Sequence, residues 1–349
     1  MQLQPIANPP NPWRTSEVEY LPEECEGSAP GAKLEVYEDH TREILSTNDS
    51  PDIGFKWSVN PYRGCFHACA YCFARPTHEY LGLGAGTDFD RKITVKPQAA
   101  KLLCEAFERK GWLGELIVFS GVTDCYQPLE ASYRLTRACL EVCAEYRNPV
   151  GIITKAPLIE RDLELLLQLQ REARLSVTIS IPIWNRAHAH AIEPYVATPE
   201  RRMRTIERLA AAGLQVGINV APLIPGLGEE DLGELLTRAR DAGATRAGFV
   251  FLRLPGSVAA VFEERLRVAL PLRADRVLNR VREARGGKLY DSRFGVRGRG
   301  AGPVAEAAQA LFKSTALRLG LALGHGDQAG EAATTFRRPA RPGRQLELL

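Results

Sequence analysis

Arg63-Gly64-Cys65-Phe66-His67-Ala68-Cys69-Ala70-Tyr71-Cys72 gathers three of the chain's eight cysteines into one short loop. A gap of three residues followed by a gap of two lets such a loop wrap a cubic iron–sulfur cluster, for which thiolates are the soft donors. Three thiolates leave the fourth iron of a cube open to an exogenous ligand, so the pattern points to a catalytic centre. The same spacing leaves two other readings open: a Cys3His zinc site that enlists His67, and unligated core thiols.

Around this loop the chain alternates strand and helix. Short β-rich runs fall at Phe55–Asn60, Leu116–Ser120, Val150–Thr154, Ser176–Ile181, Gln215–Ala221 and Ala247–Leu252. Each is followed by a stretch with helical spacing of apolar residues: Pro97–Phe107, Tyr133–Tyr146, Leu158–Glu172, Pro199–Ala212, Glu229–Ala242 and Val258–Val268. Successive units of this kind require a parallel sheet with crossover helices. Nothing after about residue 290 resumes the rhythm, so a six-unit partial barrel is expected, with a doubly wound open sheet as the alternative. Residues 1–56, with Asn8-Pro9-Pro10-Asn11-Pro12, read as an irregular lead-in. The barrel should occupy 57–290, a basic loop and closing helix (Pro303–Leu319) 291–324, and a disordered tail 325–349.

The 349 residues are 45% hydrophobic and 25% charged, the composition of a globular chain without membrane spans. The start lacks the pattern of a secretory signal, and eight scattered cysteines are too few for a disulfide scaffold, so a cytoplasmic location is expected. Charge is unevenly spread. From Arg273 onward there are 15 Lys and Arg against 7 Asp and Glu, whereas the rest carries 30 against 35. A basic segment on a slightly acidic body suggests a polyanionic partner, with DNA first among them. Asp291-Ser292-Arg293-Phe294-Gly295-Val296-Arg297-Gly298-Arg299-Gly300 interleaves arginine with glycine, so its backbone can approach phosphates.

The Cys-x3-Cys-x-Tyr-Cys loop resembles the signature of the radical S-adenosylmethionine (SAM) superfamily. Further stretches resemble the branch allied to spore photoproduct lyase, whose members are described as DNA repair photolyase-like. They are Asn60-Pro61-Tyr62-Arg63-Gly64, Phe73-Ala74-Arg75-Pro76-Thr77-His78-Glu79-Tyr80-Leu81-Gly82, Thr123-Asp124 with Tyr126-Gln127-Pro128, Thr154-Lys155, and Pro222-Leu223-Ile224-Pro225-Gly226. The resemblance implies an α/β fold built on a (β/α)6 partial TIM-type barrel. It also implies a [4Fe-4S] cluster on Cys65, Cys69 and Cys72 and an external one-electron donor of flavodoxin or ferredoxin type. In such an enzyme a reduced cluster cleaves SAM to methionine and a 5′-deoxyadenosyl radical. Tyr71, Thr123, Asp124, Lys155 and Ser180 would then surround SAM, with Asn219 before the proline-rich loop that cradles the adenosyl group. In spore photoproduct lyase a cysteine returns a hydrogen atom to the product. Gly121 stands at that place here, leaving Cys125, Tyr126 and His78 as candidate carriers.

Within this reading a radical enzyme acting on nucleic acid leads. Radical modification of a peptide or small metabolite, and a non-catalytic iron–sulfur redox sensor, are the alternatives. Cys139 and Cys143, four apart on an expected helix, read as core residues, and His188 and His190 as neighbours on an extended loop. Arg344-Gln345-Leu346-Glu347-Leu348-Leu349 resembles the peptides by which bacterial repair proteins hold the sliding clamp.

Overall fold

A computed structural model describes residues 4–5, 34–324 and 333–340. Six parallel strands lie side by side in chain order: β1 (Trp57–Val59), β2 (Ile117–Phe119), β3 (Val150–Thr154), β4 (Leu175–Ser180), β5 (Val216–Leu223) and β6 (Arg246–Phe251). They curl into the partial barrel. One edge carries Leu45–Thr47 antiparallel to β1, and the other carries Ala322–Leu323 parallel to β6. The expected boundaries hold to within a few residues because each strand is a short β-branched run bounded by turn residues.

The period of two along each strand sorts the sheet's two faces. Ile152, Val177, Ile179, Ile218 and Val220 are fully buried against the helix layer. The opposite face, which lines the lumen, carries small or polar residues: Gly151, Ser176, Thr178, Ser180, Gly217 and Asn219. Arg246 crosses this face at the amino ends of the strands, and its guanidinium donates to Ser176 Oγ and Val177 O, both at 2.8 Å. Gly217 makes room for it, since a Cβ there would lie 2.7 Å from Arg246 Cγ. The lumen is therefore floored by an arginine and left open at the carboxyl ends of the strands.

Several expectations change. The lead-in is not wholly irregular: Glu35–Glu38 pairs parallel with Lys92–Val95, which also takes Tyr62–Arg63 as an antiparallel partner. This small sheet flanks the cysteine loop. The strand rhythm does resume after residue 290, because helix Pro303–Arg318 leads into Ala322–Leu323. Helix Pro271–Glu283 stands outside the six expected strand–helix units, and its first residue suits a helix's first turn, where no N–H partner is needed. His188 and His190 lie on helix Arg186–Ile192 rather than on an extended loop. Cys139 and Cys143 are fully buried core residues, as their spacing suggested. Asn8–Pro12 and Gln345–Leu349 fall outside the described residues.

Part of the tail expected to be disordered is docked. Thr334 Oγ1 donates to Gly114 O at 2.6 Å, and Arg337 N to Tyr146 O at 2.8 Å. Phe336 packs on Phe107 and Tyr146. Arg338 donates to the carbonyls of Phe107, Arg109 and Trp112, capping the end of helix Ala99–Glu108. Gly114, at φ +74°, is required here because a Cβ on it would lie 2.2 Å from that of Phe336. These contacts precede β2 and β3, so the strap lies at the amino ends of the strands, away from the mouth. Among the described residues no helix is long and apolar enough to cross a membrane.

Candidate functional site

The cysteine loop leaves the small sheet at Arg63 and enters the barrel mouth. Cys65 N donates to Phe89 O at 3.0 Å. Gln127 grips the loop with both ends of its amide, accepting from Phe66 N at 3.1 Å and donating to Gly64 O at 3.0 Å. Arg75, 1% exposed, donates to the carbonyls of Ala68, Cys69, Ala85 and Gly86 and pairs with Asp90 at 2.9 Å. A buried guanidinium with its donors spent on backbone oxygens fixes the curvature of the loop.

Cys65 and Cys69 are buried and Cys72 is partly so; none is in a disulfide. Burial pushes all three thiols up, Cys69 to about 12. Without a metal centre they would stay protonated, so thiolate formation here is coupled to metal binding. Among the described residues no three His, Cys, Asp or Glu side chains converge on a position for a single ion. A cube asks for no such convergence, since each thiolate binds its own iron. His67 Nδ1 lies 3.5 Å from Asp124 Oδ2, and burial pulls its pKa down. The donor set therefore suits a four-iron cluster better than mononuclear zinc.

Beside the loop lies a buried charge network that no motif announced. The Tyr71 hydroxyl donates to Glu193, whose other oxygen takes Arg202 Nη2 at 2.7 Å. Arg202 Nη1 donates to Ser180 O at 2.9 Å, so the chain of contacts ties the cysteine loop to the carboxyl end of β4. Lys155, at the end of β3, places its ammonium 5.8 Å from the centre of the Tyr71 ring. Burial acts to lower its pKa, but Cys69, Glu193 and Asp124 outweigh burial and raise it, so Lys155 stays a cation. A half-buried cation beside the cluster ligands is suited to a carboxylate.

The turn after β2 is built on two close approaches. Ser120 adopts φ +74°, and its hydroxyl accepts from Cys125 N at 2.8 Å. Gly121 lies against Ser58, where a Cβ would come within 2.8 Å of the serine's own. Thr123 is buried, and its hydroxyl donates to Tyr62 O at 2.9 Å. Asp124 accepts from Thr154 Oγ1 at 2.6 Å, Tyr126 N at 2.9 Å and Lys155 N at 2.8 Å. These bonds tie Thr123 to the strand Tyr62–Arg63 and Asp124 to the end of β3, and the Thr123 hydroxyl, which donates to Tyr62, keeps acceptor lone pairs of the kind an ammonium wants.

Thr178 Oγ1 and Asn219 Oδ1 are buried without partners. Ser180 pairs in register with Asn219 across β4 and β5, so the three line one stretch of the lumen. Asn219 immediately precedes a register shift in β5 and the cis Ala221–Pro222 bond. Orphaned polar atoms facing the lumen are suited to a polar ligand.

Cys125, Tyr126 and His78 are placed otherwise. Cys125 and Tyr126 are packed in the helix-side core, at 1% and 0% exposure. His78 is fully buried under Gly64, with Nε2 2.9 Å from Lys92 O and its ring against Phe89. A hydrogen-atom carrier must reach its substrate, and burial of this kind removes that access. Gln127, Glu193 and Arg202 are the positioning residues that the sequence did not single out. Only Gln127 carried a local signal, its place beside Thr123-Asp124.

Comparison with known proteins agrees with this geometry. An uncharacterised protein of Mycobacterium bovis is 38% identical over 212 residues, 60% of this chain and 62% of the relative. An uncharacterised protein of Methanocaldococcus jannaschii is 27% identical over 196 residues, 56% of this chain and 70% of the relative. The chain thus spans less than two thirds of the length of its mycobacterial relative. Solved structures of spore photoproduct lyase share the fold, with TM-score 0.58 and 18% identity over 85% of this chain and 86% of theirs. One of them holds SAM and a dinucleoside spore photoproduct. The profile of the radical SAM superfamily matches residues 59–239, over half the chain, and with the three-cysteine loop at the mouth of a six-stranded partial barrel this protein belongs to that superfamily.

Proposed function

We propose that this protein is a radical SAM enzyme, lyase-like in fold, that acts on nucleic acid in repair or modification. The observation that carries the chemistry is the meeting, at one barrel mouth, of three loop thiols, the Lys155 ammonium and the unpartnered lumenal atoms of Thr178 and Asn219. Cys65, Cys69 and Cys72 would hold a [4Fe-4S] cluster, and with SAM on its open iron that cofactor pair supplies one-electron cleavage of a carbon–sulfur bond.

The protein's own part is binding, orientation and exclusion of water. Lys155 would neutralise the methionyl carboxylate, and Asn219, Ser180 and Thr178 would meet polar groups of the nucleoside. Gln127, Arg75 and the Tyr71–Glu193–Arg202 chain hold the loop still. Helices Arg186–Ile192, Val258–Ala269 and Pro271–Glu283 close an apolar layer over Cys69, Ala70 and Tyr71. A dry, preorganised surround protects a reactive carbon radical from side reactions. Electrons would come from an external carrier, as the superfamily requires.

Two observations support nucleic acid as the substrate class. The segment from Arg273 is strongly basic, and a protein of the same fold holds a dinucleoside photoproduct. The test is to quantify 5′-deoxyadenosine from the anaerobically reconstituted, dithionite-reduced protein with SAM, with and without ultraviolet-damaged DNA. Stimulation by DNA is expected. Turnover indifferent to every nucleic acid would favour a peptide or small-metabolite substrate.

A further inference from the structure

Phe294 is a large apolar side chain left 59% exposed at the tip of the arginine–glycine loop. The guanidinium of Arg297 sits 4.3 Å from its ring centroid, covering one face. Arg297 is held there by Asp52 at 2.6 Å and by Ser50, and Gly295 N donates to the same Asp52 at 2.7 Å. The loop is therefore braced by the hairpin that precedes β1, and Phe251 N, donating to Gly298 O at 2.9 Å, ties it to the end of β6. An aromatic ring backed by a fixed cation and bare on its other side is a platform rather than a core residue that failed to bury.

Its surroundings are cationic. Arg293 is 75% exposed in its side chain while paired with Asp291, and Arg299 is exposed. Arg253, leaving β6, acts electrostatically on both Asp52 and Arg285, and its Nε is buried without a partner. The loop around the ring thus carries Arg293, Arg297 and Arg299, of which Arg293 and Arg297 are paired with Asp291 and Asp52, while Arg285 is buried on backbone carbonyls. A ring face offered among arginines matches a strand whose bases are unstacked, since base pairs in a duplex keep their faces covered.

Resting on the nucleic acid reading above, we infer that Phe294 is a base-stacking platform for single-stranded or locally unpaired nucleic acid, with Arg293 and Arg299 receiving the flanking phosphates. The strand is thereby held beside the segment that follows β6.

The test uses the reconstituted holoenzyme and fluorescently labelled oligothymidylate, with an abasic strand of equal length as the control that keeps phosphates and removes bases. The wild type should bind the thymidylate strand about tenfold more tightly than the abasic one, and Phe294→Ala should abolish that preference. DNA-independent formation of 5′-deoxyadenosine should be unchanged in Phe294→Ala. Equal binding of the two strands by the wild type, or a preference that survives Phe294→Ala, overturns the platform and leaves the nucleic acid reading standing. Binding of neither strand, nor of duplex, overturns both.

Discussion

Arg202 and Glu193 meet at 2.7 Å with each only 1% exposed, and between them they join the Tyr71 hydroxyl to the backbone of Ser180. Removing one partner of such a pair leaves an uncompensated buried charge. Arg202→Met should therefore cost about 3–5 kcal/mol in chemical denaturation. The double variant Arg202→Met with Glu193→Gln should recover part of the loss, and a double variant no better than the single one would deny the coupling.

The three loop cysteines are the expected cluster ligands and Cys125 is a core thiol. Anaerobic reconstitution should give about four irons per chain. Replacing Cys65, Cys69 or Cys72 with Ala should remove most of that iron, while Cys125→Ala keeps it. Iron retained in any of the first three, or lost in the last, contradicts the assignment.

Lys155 is read as the partner of a carboxylate. Lys155→Met should weaken SAM binding by about tenfold or more, the usual size of a lost charge-assisted hydrogen bond, without lowering iron content. SAM titrations followed through the electron paramagnetic resonance signal of the reduced cluster give the affinity directly. An unchanged affinity would assign the lysine to the charge network alone.

Gly114 and Phe336 predict a pairwise effect at the strap. Phe336→Ala should destabilise by about 1–2 kcal/mol, in line with partial burial of an aromatic ring. Gly114→Ala should displace the same segment, because its methyl group would occupy the position of Phe336 Cβ. The two losses should be less than additive in thermal denaturation, since either one detaches the strap.

Asp162 predicts an acid limb. Burial raises its carboxyl, but Arg161 and Arg137, each within 2.9 Å, outweigh burial and hold it below its ordinary 3.8. A depressed folded value means the stabilisation is full above the unfolded value and fades as pH falls through the folded one. Asp162→Asn should lower stability near pH 7 and flatten the loss of stability below 3.8 relative to wild type. Parallel pH profiles for the two proteins would show that the carboxyl does not titrate in this window.

The parts legible in the sequence were those governed by local pattern. Runs such as Val150–Thr154 declare a strand by composition, and the strand of that range is the one observed. Cysteine spacing declares a cluster loop. The parts that were not legible depend on contacts between distant residues. Glu193 and Arg202 lie far from Tyr71 in the chain, and only the crossover after β4 brings them under it. Thr123 and Asp124 were legible as polar residues of the turn after β2, but their ties to Tyr62 and Thr154 depend on residues distant in the chain. Phe336 and Arg338 sit in a stretch of low-complexity appearance, where the complementary surface on Phe107 and Tyr146 is invisible to composition.

The strap separates two jobs in space. The cysteine loop stands at the carboxyl ends of the strands, whereas Thr334, Phe336 and Arg338 fasten the chain to the opposite rim. Residues 333–340 thus brace the barrel from behind, so a load on this strap reaches the cysteine loop only through the length of the strands.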